Sequence, residues 1–356
     1  MPAITPGEIV AVFSASGSFL AQAYFHPENS LAGRVLSFSE ESIEAVLKDR
    51  LTQALHLRQT LNLDANAYRL INAEGDGIPG LIVDYYAEVL VIQVSTWGIE
   101  KLKPFLIEAL VQIVKPKAIY EKSVSASRRG EGLEDAQGWL YGEPVSQVQI
   151  VENGLSFLVS IEEGQKTGFF LDQREMRRLI GTYSSGKRVL NCFSYTGGFS
   201  LFALKGGAMH VTSVDSCSKA CLLAEQNTAL NGFSSHKIVC EDVFSFLSRE
   251  PIDQEIVILD PPAFAKKRAD VDASCQGYKT LNRIVLEKMP PHSLLLTCSC
   301  SHFISEELFQ NLLFQAAHEA RRAVRILSHH RQASCHPTSL YHPEGEYLKS
   351  LLLHVT

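Results

Sequence analysis

The sequence predicts an α/β protein. A mostly parallel, doubly wound sheet with an antiparallel edge hairpin fills the second half, preceded by a small α+β domain and an N-terminal β segment. Three observations predict this. After residue 164, short apolar runs (RVLNCF, VTSVD, KIVCE, EIVILD, SLLLTCS) alternate with helix-length stretches; such alternation is the pattern of parallel strands joined by crossover helices. The last two apolar runs, VRILSHH and YLKSLLLHVT, have no helix between them, which fits a hairpin. The earlier part shows period-two alternation broken by turn residues.

Taken in order, residues 1–38 form the first segment, in which IVAVFSASGSFLAQAYF alternates in strand fashion with Ser16-Gly17 as the turn. Residues 39–163 form the α+β domain. It opens with a helical stretch to Asn62, followed by two apolar β runs around the turn at 75–80. A helix over 99–114 places Leu102, Phe105, Leu106, Leu110 and Val114 at helical spacing. KAIYEK and VQIVENGLSFLVSI supply two more strands, so the expected order is strand, strand, helix, strand, strand. Residues 164–356 form the third domain. It starts with a helix near 172–183 and carries its last helix over 304–322.

Bulk properties limit the function classes. The 356 residues are 46% hydrophobic and 20% charged, as in an ordinary globular protein with material for more than one core. A net charge of −6 argues against a uniformly basic surface, though not against a local basic patch. No apolar run reaches the ~18 residues of a membrane helix, and residues 1–7 lack the features of a signal peptide. All eight cysteines follow residue 191, with no CxxC pair. That pattern suits neither a secreted disulfide framework nor a structural zinc site. Reduced thiols, a cytoplasmic location and no metal are the expectation.

The cofactor is read from the strand ends. Asn191-Cys-Phe-Ser-Tyr-Thr-Gly-Gly-Phe-Ser200 follows a strand and opens a helix, and its glycines let backbone approach a ligand. The next strand ends at Asp215, where a carboxylate can take both hydroxyls of a ribose. The segment is neither GxGxxG nor a P-loop, so a pyrophosphate has no cradle. S-adenosylmethionine, a nucleoside without phosphate, fits better than NAD. Glu241-Asp242 ends the third strand, where a carboxylate can receive the adenine amino group. Asp260-Pro-Pro-Ala-Phe264 ends the fourth strand and Thr297-Cys-Ser-Cys-Ser301 the fifth. Ligands of open α/β sheets bind at this edge. The candidate contacts are Asn191, Phe193, Tyr195, Thr196, Gly197, Asp215, Ser216, Asp242, Val243 and Asp260. The two prolines make a stiff corner at Asp260, and Phe264 could stack on a flat base.

At this point LNCFSYTGGFSLFA, VTSVDSC, ILDPPAFAK and LLTCSCS resemble the class I methyltransferases that make 5-methylcytosine in large-subunit ribosomal RNA. EGDGIPGLIVDYY, YEKSVSASRRGEGL and EEGQKTGFFLDQREMR extend the resemblance upstream, to about residues 8–356. It implies a Rossmann-like methyltransferase sheet, S-adenosylmethionine as cofactor and 23S ribosomal RNA as partner. It implies a lead-in segment, Lys166 to Arg174, over the cofactor, with Lys166, Phe170, Asp172 and Arg174 as contacts. The start resembles only the later strands of the family's RNA-binding PUA barrel, so either the gene start is misassigned or the barrel is a partial, reduced one, and its RNA binding stays open.

The family's nucleophile is the middle residue of the SCS triplet, Cys300 here, with Cys298 as the alternative. Carbon 5 of cytosine is a poor nucleophile, so a thiolate adds to carbon 6 first. Asp260 is expected to hold the cytosine edge, and Glu344 is the candidate for removing the carbon-5 proton. Basic pairs at Arg128-Arg129, Arg177-Arg178 and Arg321-Arg322 read singly as solvated charge. Lys266-Lys267-Arg268, beside the proline corner, reads as a phosphate contact. Oligomeric state stays open between one copy and a homodimer. Three other classes fit less well: a base-amine (guanosine) methyltransferase, a non-catalytic RNA-binding assembly protein, and a nucleotide-dependent oxidoreductase.

Overall fold

The computed structural model describes residues 4–265 and 267–356. The chain divides into two compact units: Met1–Gly154 with Leu158–Asp172 and Ser334–Gly345, and Leu155–Phe157 with Gln173–Ala333 and Glu346–Thr356.

In the first unit β1 (Glu8–Phe13), β2 (Phe19–Phe25) and β3 (Gly33–Ser37) form a three-stranded antiparallel sheet. Gly17 sits at φ +88° in the β1–β2 turn, a conformation that suits glycine. Helix α1 (Ile43–Thr60) starts where the Ser42 hydroxyl accepts from the Ala45 N–H, as N-caps do. Then come β4 (Ala67–Asn72), β5 (Leu81–Tyr86), β6 (Val89–Val94), α2 (Trp97–Val114), β7 (Ala118–Ser123), α3 (Ala126–Gly130) and β8 (Ala136–Gly142). Strands β4 to β8 make one sheet in chain order. Its core holds Leu47, Ile71, Val83, Leu90 and Ile119. A pair, β9 (Gln147–Glu152) and β10 (Leu155–Ser160), follows.

This region holds more strands than the expected strand, strand, helix, strand, strand. Ala87-Glu88 (φ 45° and 77°) and Asn153-Gly154 (φ 47° and 70°) reverse the chain in two residues. Each cuts one apolar run into two strands. Asn-Gly carries a recognisable hairpin signal and Ala-Glu carries none. The late stretch 334–345 belongs to this unit through polar anchors. The buried Arg58 guanidinium donates to Asp76 and to the Cys335 carbonyl, and Asn72 Nδ2 donates to the Pro337 carbonyl at 2.9 Å.

The second unit runs α4 (Arg174–Tyr183), β11 (Arg188–Cys192), α5 (Gly198–Lys205), β12 (His210–Asp215), α6 (Ser218–Leu230), β13 (His236–Cys240), α7 (Val243–Arg249), β14 (Ile256–Leu259), α8 (Val271–Lys288), β15 (Ser293–Ser299), α9 (Glu306–Glu319), β16 (Val324–His330) and β17 (Lys349–Val355). The sheet order is β13-β12-β11-β14-β15-β17-β16, with β17 antiparallel to both neighbours and β11 to β15 parallel. This is the Rossmann-like architecture expected from the alternation, edge hairpin included. Period two divides the strand side chains between two cores. Leu190, Val257 and Leu295 pack with Phe246, Leu281 and Phe309, whereas Val189, Ile258 and Leu296 pack with Met176, Ile180 and Phe199. Both faces are covered, which is why these strands read as near-continuous apolar runs. The order reverses at β11, between β12 and β14, and a crevice opens there at the carboxyl ends. No helix among the described residues is long and apolar enough to cross a membrane.

Candidate cofactor and catalytic site

The loop from β11 to α5 occupies that crevice. Phe193, Tyr195 and Gly197 all have positive φ, at 60°, 47° and 82°. For two bulky aromatic residues this conformation costs about 1–3 kcal/mol each, and such strain is held where it shapes a site. Gly197 caps α5 and adopts its φ without that penalty. The Asp215 carboxylate ties the loop down: Oδ2 accepts from the Tyr195 N–H at 2.8 Å and Oδ1 from the Cys217 N–H at 2.9 Å. Each oxygen keeps a lone pair for a further donor. The Ser194 and Thr196 hydroxyls are buried without a hydrogen-bond partner, a state that calls for a ligand or water.

Beneath the loop runs a polar chain that the sequence did not announce. Asn191 Nδ2 donates to Ser200 Oγ (2.9 Å), which lies 2.6 Å from Ser213 Oγ, which lies 2.7 Å from His236 Nε2. Thr228 Oγ1 donates to the Ala224 carbonyl and lies 2.7 Å from His236 Nδ1. The direction follows from donor accounting. Thr228 has spent its proton, so His236 Nδ1 carries the hydrogen and Nε2 accepts from Ser213. The ring is therefore neutral, and burial, helped by His210, pulls its pKa from 6.5 to about 4. A lone histidine at a strand start gives no signal of this in sequence. Asn191 is fully buried. Its side chain supports the loop.

The other expected contacts fall into distinct places. Ser216 is exposed. Asp242 is exposed and caps α7, its Oδ1 accepting from the Ser245 N–H at 2.9 Å. Val243 is 2% exposed and its side chain belongs to the core, which leaves only its backbone N–H to offer. Arg174 is buried at the start of α4. Lys166, Phe170 and Asp172 lie in the first unit. There the Lys166 ammonium sits 4.7 Å from the Phe170 ring centroid and 4.0 Å from the Asp172 carboxylate.

The catalytic candidates sort by burial. Asp260 follows β14, and its Oδ1 accepts from Gln173 Nε2 at 3.0 Å. Cys298 lies fully buried within β15, and desolvation first, then the Asp260 charge, holds its thiol well above the usual range. Cys300 lies just beyond the strand end, half-buried, with Sγ 3.9 Å from the Pro261 carbonyl oxygen. The end of β15 thus leaves the alternative, Cys298, in the core and the preferred Cys300 accessible. The partly buried Phe264 ring packs on Tyr278 (4.7 Å) and Phe244 (6.3 Å). Glu344 lies in the first unit on the exposed turn Pro343–Gly345, 3.4 Å from His342.

Of the basic groups, Arg128 and Arg177 are buried and Arg322 donates to the Leu286, Met289 and Thr356 carbonyls. They are structural. Lys267, Arg268, Arg178 and Arg321 are exposed, and Lys266 lies outside the described residues. None of the eight cysteines forms a disulfide among the described residues.

An acidic ribose-type acceptor, a strained loop at the switch point and a proline corner with a thiol define a class, the S-adenosylmethionine-dependent methyltransferases. The family model with that description matches residues 121–332, and a PUA-like domain model matches residues 1–38. Ribosomal RNA large subunit methyltransferase I of Vibrio cholerae is 42% identical over 96% of this chain and 89% of its own length. The protein of that name from Aeromonas salmonicida is 40% identical over 98% and 90%. Among solved structures, a protein from Streptococcus mutans described as a SAM-dependent methyltransferase superposes with a TM-score of 0.85 at 26% identity, over 98% of this chain and 92% of that one. A methyltransferase structure complexed with SAH gives 0.86 at 26% identity, over 99% and 93%. The chain belongs to the ribosomal RNA large subunit methyltransferase I family. S-adenosylmethionine is its cofactor, and the unpartnered hydroxyls and free carboxylate lone pairs suit that molecule.

Proposed function

We propose that the protein methylates carbon 5 of a cytosine in large-subunit ribosomal RNA, with Cys300 as covalent nucleophile. The observation that carries this is the placement of Cys300: an accessible thiol beside the Asp260-Pro261 corner, at the cofactor edge of the sheet. The curated relatives' name supports the RNA. Bound S-adenosylmethionine supplies the methyl group and leaves as S-adenosylhomocysteine. Asp215 takes the ribose hydroxyls, and Asp242 and the Val243 N–H take the adenine edge. The loop Phe193–Gly197 shapes the site, and Lys166, Phe170, Asp172 and Arg174 are the proposed contacts for the methionine end.

Cys300 Sγ, as thiolate, bonds to carbon 6 of the cytosine. The displaced π electrons move to carbon 5, which takes the methyl group. Asp260, oriented by Gln173, holds the base edge during this step. A base then removes the carbon-5 proton, the C5–C6 double bond re-forms and the thiolate leaves. Glu344 is the proposed acceptor, and it is the least anchored member of the set. Exposed Lys267 and Arg268 face phosphates. The protein acts as a cytoplasmic enzyme. Mass spectrometry of nucleosides from 23S RNA incubated with the protein and cofactor tests the reading. New 5-methylcytidine is expected. A methyl group on a different base, or none, refutes it.

A further inference from the structure

Lys349, at the start of β17, is a buried cation with an unusual set of partners. Its residue is 9% exposed. It pairs in register with Ser299, at the end of β15 next to Cys300. Nζ donates to the Ser301 carbonyl at 2.6 Å and the Tyr347 carbonyl at 2.7 Å. Ser301 directly follows Cys300, and Tyr347 lies two residues before Lys349. Both carbonyls are neutral, and no carboxylate among the described residues bonds to the ammonium. An ammonium has three N–H donors, and two are spent. A buried charge with neutral partners is costly unless an anion lies close.

We propose that Lys349 is a positioning residue for Cys300: its ammonium, clamped between two strand-end carbonyls, holds the neighbouring sulfur as thiolate. The inference rests on the reading of Cys300 as nucleophile. A nearby lysine lowers the pKa of a thiol and so raises its thiolate fraction. The charged and titratable groups around the pair come from each adjoining element. Cys298 lies on β15, Tyr278 on α8 and Glu306 on α9, with Asp260 beyond Cys298. Glu306 is already engaged by His329 (2.9 Å) and Arg331 (3.2 Å). Burial pushes the Lys349 ammonium down to about 8, and the charges of Cys300 and Glu306 work in the other direction. The lysine stays protonated near neutral pH, where the thiolate is needed.

The test is iodoacetamide alkylation of the full-length protein across pH, with Cys300 followed by peptide mass spectrometry. Exposed Cys240 is the reference thiol, and buried Cys192 and Cys298 report unfolding. In the wild type, the alkylation midpoint of Cys300 should lie below that of Cys240. Lys349→Met should move it up by about a unit or more, a roughly tenfold slower reaction at neutral pH. Lys349→Arg should restore most of the shift. If Lys349→Met exposes the buried cysteines, Lys349→Gln, which keeps an N–H for a strand-end carbonyl, replaces it. An unchanged midpoint in the folded neutral variant, or a wild-type midpoint no lower than that of Cys240, overturns the inference. Methyl transfer by Cys300→Ser separates the two readings. Activity in that variant refutes the nucleophile, whereas the alkylation profile alone decides the lysine.

Discussion

Acidification should loosen the cofactor edge of the sheet through His236. Its folded pKa is about 4, against 6.5 without burial. Between these values the unfolded chain binds more protons, so the contribution of His236 to stability declines as pH falls through 6.5 and is used up below about 4. At pH 5 the difference amounts to about 2 kcal/mol relative to pH 7.5. The structural reason is specific: a charged ring has two donors, and its Nε2 can no longer accept from Ser213. Hydrogen exchange of peptides spanning β11 and β12, corrected for the intrinsic pH dependence, reads this locally. Wild-type protection should fall roughly 30-fold between the two pH values. His236→Gln starts lower, having lost the contact with Thr228, but should show little pH dependence in this window. An equal drop in the variant, or no drop in the wild type, would refute the hydrogen-bond direction assigned here.

Cys300→Ala should abolish formation of 5-methylcytidine in 23S RNA, whereas Cys298→Ala should keep activity and lose about 1 kcal/mol of stability by denaturant titration. Asp215→Ala removes the acceptor for the Tyr195 and Cys217 N–H groups and should weaken S-adenosylmethionine binding by roughly 10- to 100-fold in calorimetry. Asp242→Ala should cost about 1 kcal/mol by loss of the α7 cap; Asp242→Asn keeps the cap, so weaker cofactor binding in that variant isolates the adenine contact. Gly75→Ala would drive a methyl into the Pro337 carbonyl oxygen. It should destabilise the first unit by about 1–3 kcal/mol and speed limited proteolysis within 334–345.

Local pattern made much of this protein legible. The alternation after residue 164 read as a parallel sheet because each strand is covered on both faces, and the cofactor edge was visible because a parallel sheet brings the ends of all its strands to one side. Asp215 and the loop before it needed no more than that. Hairpin turns were less legible, since Ala87-Glu88 adopts positive φ without a turn-forming residue.

What sequence could not decide is burial, which depends on packing between distant segments. The resemblance ranks Cys300 above Cys298 as nucleophile, and the end of β15 is what makes Cys298 a core thiol and Cys300 an accessible one. Val243, Arg128 and Arg177 carry the right chemistry for a site, yet tertiary packing spends their side chains inside. His236 and Lys349 show the converse: each is a lone residue in sequence, made significant by partners from other strands and helices. The parallel, doubly wound class of the sheet follows from the alternation along the chain, and the cofactor class from the residues at its strand ends. Which thiol is accessible, which lysine is buried and which histidine sits in a hydrogen-bond chain was fixed by what the fold places around them.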